Sequence, residues 1–251
     1  MNAPGVGLPP DASAHAIRLD GVLQNALLAV TLIFVGCLVV LLFSIVRYGR
    51  RHTAETNVGA TRNAGFRSAL LAVVVLGIVD GGLFVTALRD PGGVQENFAA
   101  IEATPGVVRI EVNAHQWAWD ARYAGPDGVF GTQDDVVSLN HLVVPEGAPV
   151  LVELAATDVI HSFYVPALRL KRDAVPGRIG TVGFTASADG TYEIACAQLC
   201  GVNHYKMRGE LEVVARADYD AWLARTSELA SHGYDPDDAS AHWAWPWKAA
   251  R

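Results

Sequence analysis

The segment Cys196-Ala-Gln-Leu-Cys200-Gly-Val-Asn-His204-Tyr-Lys-Met207 places two thiols, an imidazole and a thioether within twelve positions. Soft sulfur donors combined with imidazole select copper, above all where the metal must change oxidation state. A single blue-copper centre uses one cysteine, two histidines and a weak axial methionine. Here there are two cysteines, so both sulfurs can bridge two copper ions and share one electron across the pair. Sharing the charge lessens the bond-length change on reduction, which suits electron transfer. Two other readings of the cysteines are a disulfide and half of a zinc site. A disulfide leaves His204 and Met207 without a role, and zinc leaves Met207 without one. The site needs a second histidine from elsewhere, and the candidate is His161 in TDVIHSFYVP.

These residues lie in a region that reads as strands. The runs GVVRIEVNAHQWAWDARY, DDVVSLNHLVVPEG, PVLVELAATDVIHSFYV, GRIGTVGFTA, GTYEIACAQ and GELEVVA are β-rich and separated by turn residues. Val108, Ile110 and Val112 alternate with polar neighbours, as do Val150, Val152 and Leu154. Pro145, Gly147, Pro166, Pro176, Gly177, Gly190 and Gly201 punctuate the runs. Short strands at this spacing predict a β-sandwich or barrel. A histidine from an earlier loop meeting a Cys/His/Met loop near the end is how a cupredoxin-like sandwich assembles a metal site. After residue 216, ADYDAWLARTSELA predicts a short amphipathic helix; the tail HWAWPWKAAR shows no period.

Ahead of the strands, Asn25 to Val46 and Ser68 to Leu88 are apolar runs, the second interrupted only by Asp80. Each is long enough to cross a bilayer. Between them Arg47, Arg50, Arg51, Arg62 and Arg67 stand against one acid, Glu55. The positive-inside rule puts that loop in the cytoplasm and both termini outside, on the periplasmic face of a bacterial inner membrane. The first span lacks a basic leader and a small-residue cleavage site, so it reads as retained. Asp80, beside Gly81 and Gly82, reads as a hydrogen-bonded contact with a partner subunit or a step in a proton path. The expected organisation is a segment 1–24, spans 25–47 and 67–89 around a cytoplasmic loop 48–66, a linker 90–106, a β-domain 107–216, and a helix and tail 217–251. The fold class is therefore a membrane-anchored all-β protein: a two-helix transmembrane hairpin followed by a cupredoxin-like sandwich.

A formal net charge of −7 argues against nucleic acid as a partner. Asp127, Asp134, Asp135, Glu146, Glu153 and Asp158 precede the first candidate ligand, and an acidic surface suits a basic protein partner. The chain has no C-x-x-C-H, hence no attached c-type haem. Cys37 sits inside the first apolar run and reads as a small buried hydrophobe. GPDGVFGTQDDV, at 125–136, has some likeness to a calcium loop but lacks EF-hand spacing, and reads as a hairpin extension.

With these residues assembled, the chain resembles subunit II of the haem–copper oxidases, through the apolar hairpin and most densely from His115 to Arg208. DVIHSFYVPALRLKRDAVPGR is similar to the family's stretch around its first histidine ligand, and HQWAWD to its aromatic strand. The resemblance implies a binuclear CuA centre. Cys196 and Cys200 would bridge both coppers, His161 and Met207 would complete one, and His204 with the carbonyl of Gln198 the other. Trp117 would be the residue through which an electron enters from docked cytochrome c; the competing reading is a core tryptophan on a strand, sharing a face with Trp119. The implied partners are the catalytic subunit I, further membrane subunits and cytochrome c.

Three departures stand out. Gln198 replaces a frequent glutamate, which leaves the family's magnesium ion at subunit I without that carboxylate. Ala118 stands where another aromatic is usual. No carboxylate lies between Arg62 and Asp80, where the family often carries a glutamate. Two further functions stay open: the copper-bearing subunit of a nitric oxide reductase, and a membrane-tethered copper-delivery protein acting alone.

Overall fold

The computed structural model describes residues 7–14, 16–49, 62–89, 101 and 103–233. Arg50, Arg51 and Glu55 of the basic loop, most of the linker and the tail HWAWPWKAAR lie outside the described residues. The chain divides into two units, Arg18–Val94 and the remainder.

The first unit holds helices α1 (Ala16–Tyr48) and α2 (Arg62–Arg89). Their apolar stretches run over Leu19–Arg47 and Phe66–Thr86, with none of either window buried by protein. At about 1.5 Å per residue these reach about 43 and 31 Å, enough for a hydrocarbon core of about 30 Å. The first helix starts at Ala16 rather than Asn25. Ile17, Leu19, Val22 and Leu23 continue its apolar character, and no proline intervenes to stop the hydrogen-bond ladder. Cys37 is exposed along this helix rather than buried in protein. Asp80 is likewise exposed on α2.

The second unit is a sandwich of two five-stranded sheets. One contains β1 (Val108–His115), β2 (Ala118–Tyr123), β3 (Val136–Leu139), β5 (Pro149–Ala156) and β8 (Gly180–Thr185), in the order β3-β2-β1-β5-β8. The other contains β4 (His141–Pro145), β6 (His161–Val165), β7 (Leu170–Ala174), β9 (Gly190–Cys196) and β10 (Arg208–Val214), in the order β4-β10-β9-β6-β7. Pairing is antiparallel except for β1 with β5 and β10 with β4. Period-two alternation is cleanest in β10, where Leu211 and Val213 are buried between exposed or half-exposed neighbours. Ile110, Val112, Trp119, Val152, Leu154, Phe163, Phe184 and Ile194 fill one core. Tyr123 stitches the sheets together: its hydroxyl accepts from the Val143 amide at 2.8 Å and donates to the Val143 carbonyl at 3.1 Å.

Sheet one also buries charge. Glu111 and Arg122 are cross-strand partners, and the Glu111 carboxylate accepts from Arg122 Nε at 2.9 Å. An ion pair this deep is held by its geometry, since both groups have left water. Helix α3 (Arg216–His232) packs Tyr219 and Trp222 toward β2, with Trp222 edge-on to Tyr123 at 5.0 Å between ring centroids.

Two further features bear on the sequence reading. The loop 125–135 is a hairpin connection between β2 and β3 whose acids bond to the loop itself. Asp127 accepts from the Val129 amide, Asp134 from Thr132 Oγ1, and Asp135 from the Gly131 amide. A strap at the N-terminus joins this unit too: Ser13 bridges Ala186, Ala12 N donates to the Ala167 carbonyl, and Ser187 N donates to the Ala12 carbonyl.

Candidate metal centre

Three segments meet at one end of the sandwich. His161 opens β6; Cys196 closes β9; and the loop from 197 to 207 returns through a short 3-10 turn, His204–Lys206, into β10. The pairing of β6 with β9 sets Phe163 against Cys196, and the Ala197 amide donates to the Ser162 carbonyl at 2.9 Å. Strand register therefore delivers the histidine to the cysteine loop. His161, Cys200 and Met207 are buried, while Cys196 and His204 are half-buried.

Donor atoms fall into two groups sharing one edge. The common edge is Cys196 Sγ to Cys200 Sγ, 3.7 Å, between two free thiols rather than a disulfide. On one side His161 Nδ1 lies 3.9 Å from Cys196 Sγ and 3.2 Å from Met207 Sδ, and Met207 Sδ lies 3.7 Å from Cys200 Sγ. On the other side His204 Nδ1 lies 3.5 Å from Cys200 Sγ, and the Gln198 carbonyl oxygen 3.2 Å from Cys196 Sγ. For metal–ligand bonds of about 2.0–2.3 Å, the edges of a tetrahedral donor set come to about 3.3–3.8 Å. His161, Cys196 and Cys200 alone place their ligand atoms within 4.8 Å of one another, so they could hold a metal ion. The His161 group fits a thiophilic metal, while His204 and the Gln198 carbonyl each reach one of the two sulfurs.

Residues 108–214 match the family model for the periplasmic domain of cytochrome c oxidase subunit II. The β-unit carries that family's domain.

Over 175 residues it is 37% identical to the alternative cytochrome c oxidase subunit 2 of Bradyrhizobium diazoefficiens, covering 61% of this chain and 62% of that one. With cytochrome c oxidase subunit 2 of Cereibacter sphaeroides it shares 28% identity over 266 residues, 90% of this chain and 83% of the relative. The solved periplasmic domain of subunit II of cytochrome oxidase from Bradyrhizobium japonicum is 27% identical, with a TM-score of 0.44, covering 49% of this chain and 94% of that domain. The chain spans 62% of the first curated relative and 44% of the next two. The matched domain is the cupredoxin-like sandwich described above.

Electrostatics at the site drive the two thiols apart in acidity. Burial pushes the Cys196 thiol up, but hydrogen bonds with His161 and with the backbone around Gln198 and Ser162 outweigh it and bring it down to about 6. Burial and the neighbouring Cys196 together hold the Cys200 thiol up at about 12. Two thiols this close cannot both ionise alone, whereas a bound cation stabilises both thiolates.

Trp117 is not on a strand. β1 ends at His115 and β2 begins at Ala118, so HQWAWD is a turn entering a strand. The two tryptophans consequently part. Trp119 is fully buried in the core, edge-on to His161 at 6.2 Å and to Phe163 at 5.4 Å. Trp117 is half-buried over the metal loop, where a Cβ added to Gly201 would lie 3.3 Å from its indole. Gly201 has a φ of +122°, so the loop needs glycine for conformation as well as for space.

Sequence reasoning missed two residues. Asp158, counted among surface acids, turns to His161 Nε2 at 2.8 Å. Gln116 donates its backbone amide to Asp158 Oδ2 at 2.6 Å and its side-chain Nε2 to the Cys200 carbonyl at 2.7 Å. An aspartate three positions before a candidate histidine ligand was the available signal, because ligand histidines so often donate their second ring nitrogen to a carboxylate. Nothing local to Gln116 announces its role.

Proposed function

We propose that the chain is the CuA-bearing subunit II of a cytochrome c oxidase, and that it relays electrons from cytochrome c toward a haem in the catalytic subunit. One observation carries this reading: two donor groups share the Cys196–Cys200 edge, one completed by His161 and Met207, the other by His204 and the Gln198 carbonyl. Cys196 and Cys200 would bridge two copper ions. When bound, the pair supplies one-electron redox chemistry with the charge shared across both ions. The protein's own part is to hold the ligands in place. His161 and Met207 are almost wholly withdrawn from water, which limits solvent rearrangement as charge changes.

Trp117 supports an arrival route. Its ring lies against Gly201, next to Cys200, and its neighbour Gln116 is hydrogen-bonded to the Cys200 carbonyl. An electron reaching the indole has short contacts to a bridging ligand. Gln198 offers only its carbonyl to the copper site, and its amide lacks the charge that a magnesium ion would draw from glutamate.

The chain is read as an inner-membrane protein with two spans and both termini in the periplasm. The strap supports this, because residues 12–14 hydrogen-bond to the β-unit and must lie on its side of the bilayer. α1 and α2 then cross and return.

The test is purification of the membrane complex from the native source. Two coppers per chain, a mixed-valence near-infrared band and oxygen consumption with reduced cytochrome c are the expected results. Nitric oxide consumption in place of oxygen would reassign the complex to a reductase. One copper per chain, with no partner subunits, would make the chain a delivery protein.

A further inference from the structure

A hydrogen-bonded chain runs behind the metal ligands, and it begins and ends on two of them. The Cys200 carbonyl accepts from Gln116 Nε2 at 2.7 Å. The Gln116 amide donates to Asp158 Oδ2 at 2.6 Å, while Asp158 Oδ1 accepts from the Val159 amide at 2.6 Å and pairs with His161 Nε2 at 2.8 Å. Its links span 84, 42 and 3 positions of sequence. Three separate segments are thus tied together: the β1–β2 turn, the loop before β6, and the cysteine loop after β9.

The arrangement has chemical consequences. Asp158 is an acceptor-only group at both oxygens, so the imidazole nitrogen facing it carries the proton and Nδ1 is left as a lone pair aimed at the sulfurs. His161 is itself completely buried. The imidazole has no water to bond instead, so the carboxylate, itself 31% exposed, fixes both tautomer and ring orientation. At the other end, the Gln116 amide holds the peptide of Cys200, and Gly201 leaves room for it, since a Cβ there would stand 2.7 Å from Gln116 Nε2.

Resting on the CuA reading above, we propose that Gln116 and Asp158 are positioning residues. Together they clamp the His161 loop to the cysteine loop, presetting the copper geometry and adding a negative charge that lowers the reduction potential. Asn at 158 is the sharp probe. An amide presents one oxygen and one NH2, so whichever way it turns, its NH2 faces a donor, either His161 Nε2 and Val159 N or Gln116 N. Removing a negative charge beside the site also disfavours the more positive, oxidised state.

The experiment uses the full-length chain loaded with copper, as wild type, Asp158→Asn and Gln116→Ala. Three readouts are taken: midpoint potential, the rate of copper loss to a chelator, and the near-infrared and EPR spectra, with circular dichroism to verify folding. For Asp158→Asn we expect a positive shift in potential and copper affinity weaker by about 10- to 100-fold, the range of supporting-residue changes at metal sites. Gln116→Ala keeps the charge and the backbone link, and Gln116 is exposed, so the fold should survive its loss. It should speed copper loss with a smaller shift in potential. A wild-type chain that takes up no copper pair overturns the CuA reading and the clamp with it. If the wild type loads and both variants match it in potential and copper retention, the clamp alone falls. A raised KM for cytochrome c, with potential and retention unchanged, would make Asp158 a docking charge and also overturn the proposal.

Discussion

Apolar side chains dominate both units of this molecule, but they point outward in one and inward in the other. Along α1, Leu32, Val39 and Val46 are 64, 59 and 79% exposed, whereas Val112, Val152 and Leu154 in the sandwich are fully buried. The residue types are the same and the solvents differ. Protein fills the space around the valines of β1 and β5, and lipid is the medium that suits those of α1. A helix satisfies its own backbone hydrogen bonds and can stand alone in hydrocarbon, while a strand needs neighbours. The candidate metal ligands accordingly sit in the unit where strand pairing, not helix periodicity, decides who meets whom.

The comparison can be broken at several points. The largest effect is expected from Cys196→Ser, which removes the shared edge of both donor groups. The mixed-valence near-infrared and EPR signals should vanish completely, with the sandwich still folded by circular dichroism.

Next comes the inward-facing side. Phe163 is fully buried, packs edge-on against Trp119 and pairs in register with Cys196. Phe163→Ala should destabilise the β-unit by about 3–5 kcal/mol, read as a lowered denaturant midpoint, because a cavity opens that the rigid sheets cannot close.

The outward-facing side is probed by Val39→Arg in α1. A cation at the centre of a span costs about 2.5–3.5 kcal/mol for insertion, so membrane-integrated chain should fall several-fold in a fractionation assay. The same change at an exposed residue of the β-unit should cost almost nothing.

The smallest effect concerns the strap. Asp11 Oδ1 accepts from the Ser13 amide at 2.8 Å, holding the turn that leads into the bridge with Ala186. Asp11→Ala should cost about 0.5–1.5 kcal/mol, visible as faster amide exchange at Ala12 and Ala14 with the copper spectrum unaltered.

Legibility in the sequence followed contact distance. The cysteine loop could be read outright, since Cys196, Cys200, His204 and Met207 lie within twelve positions and a short loop returning to a strand must bring them near one another. The apolar spans were equally plain, because a run of some twenty apolar residues has few other uses. The strands were visible in outline, yet HQWAWD read as one strand when it contains a turn. Gln116 and Trp117 carry no alternation that would mark the break. The acids were read as a surface, and Asp158 is exposed there, yet it also bonds to buried His161, while three of the others close their own hairpin.

Residue type and local spacing determined by themselves that this chain has two helices able to cross a membrane and a loop of soft candidate ligands in a β-rich domain, because those properties depend on composition and on a few consecutive residues. Tertiary structure decided which histidine nitrogen faces the sulfurs, which tryptophan lies over the loop, and which carboxylate supports the ligand. The His161 contacts to Cys196 and Met207 cross 35 and 46 positions, and Gln116 reaches Asp158 and Cys200 across 42 and 84; all exist only once sheet register has brought the segments together. No local propensity encodes a distance of that kind; it comes from the packing of the two sheets as a whole.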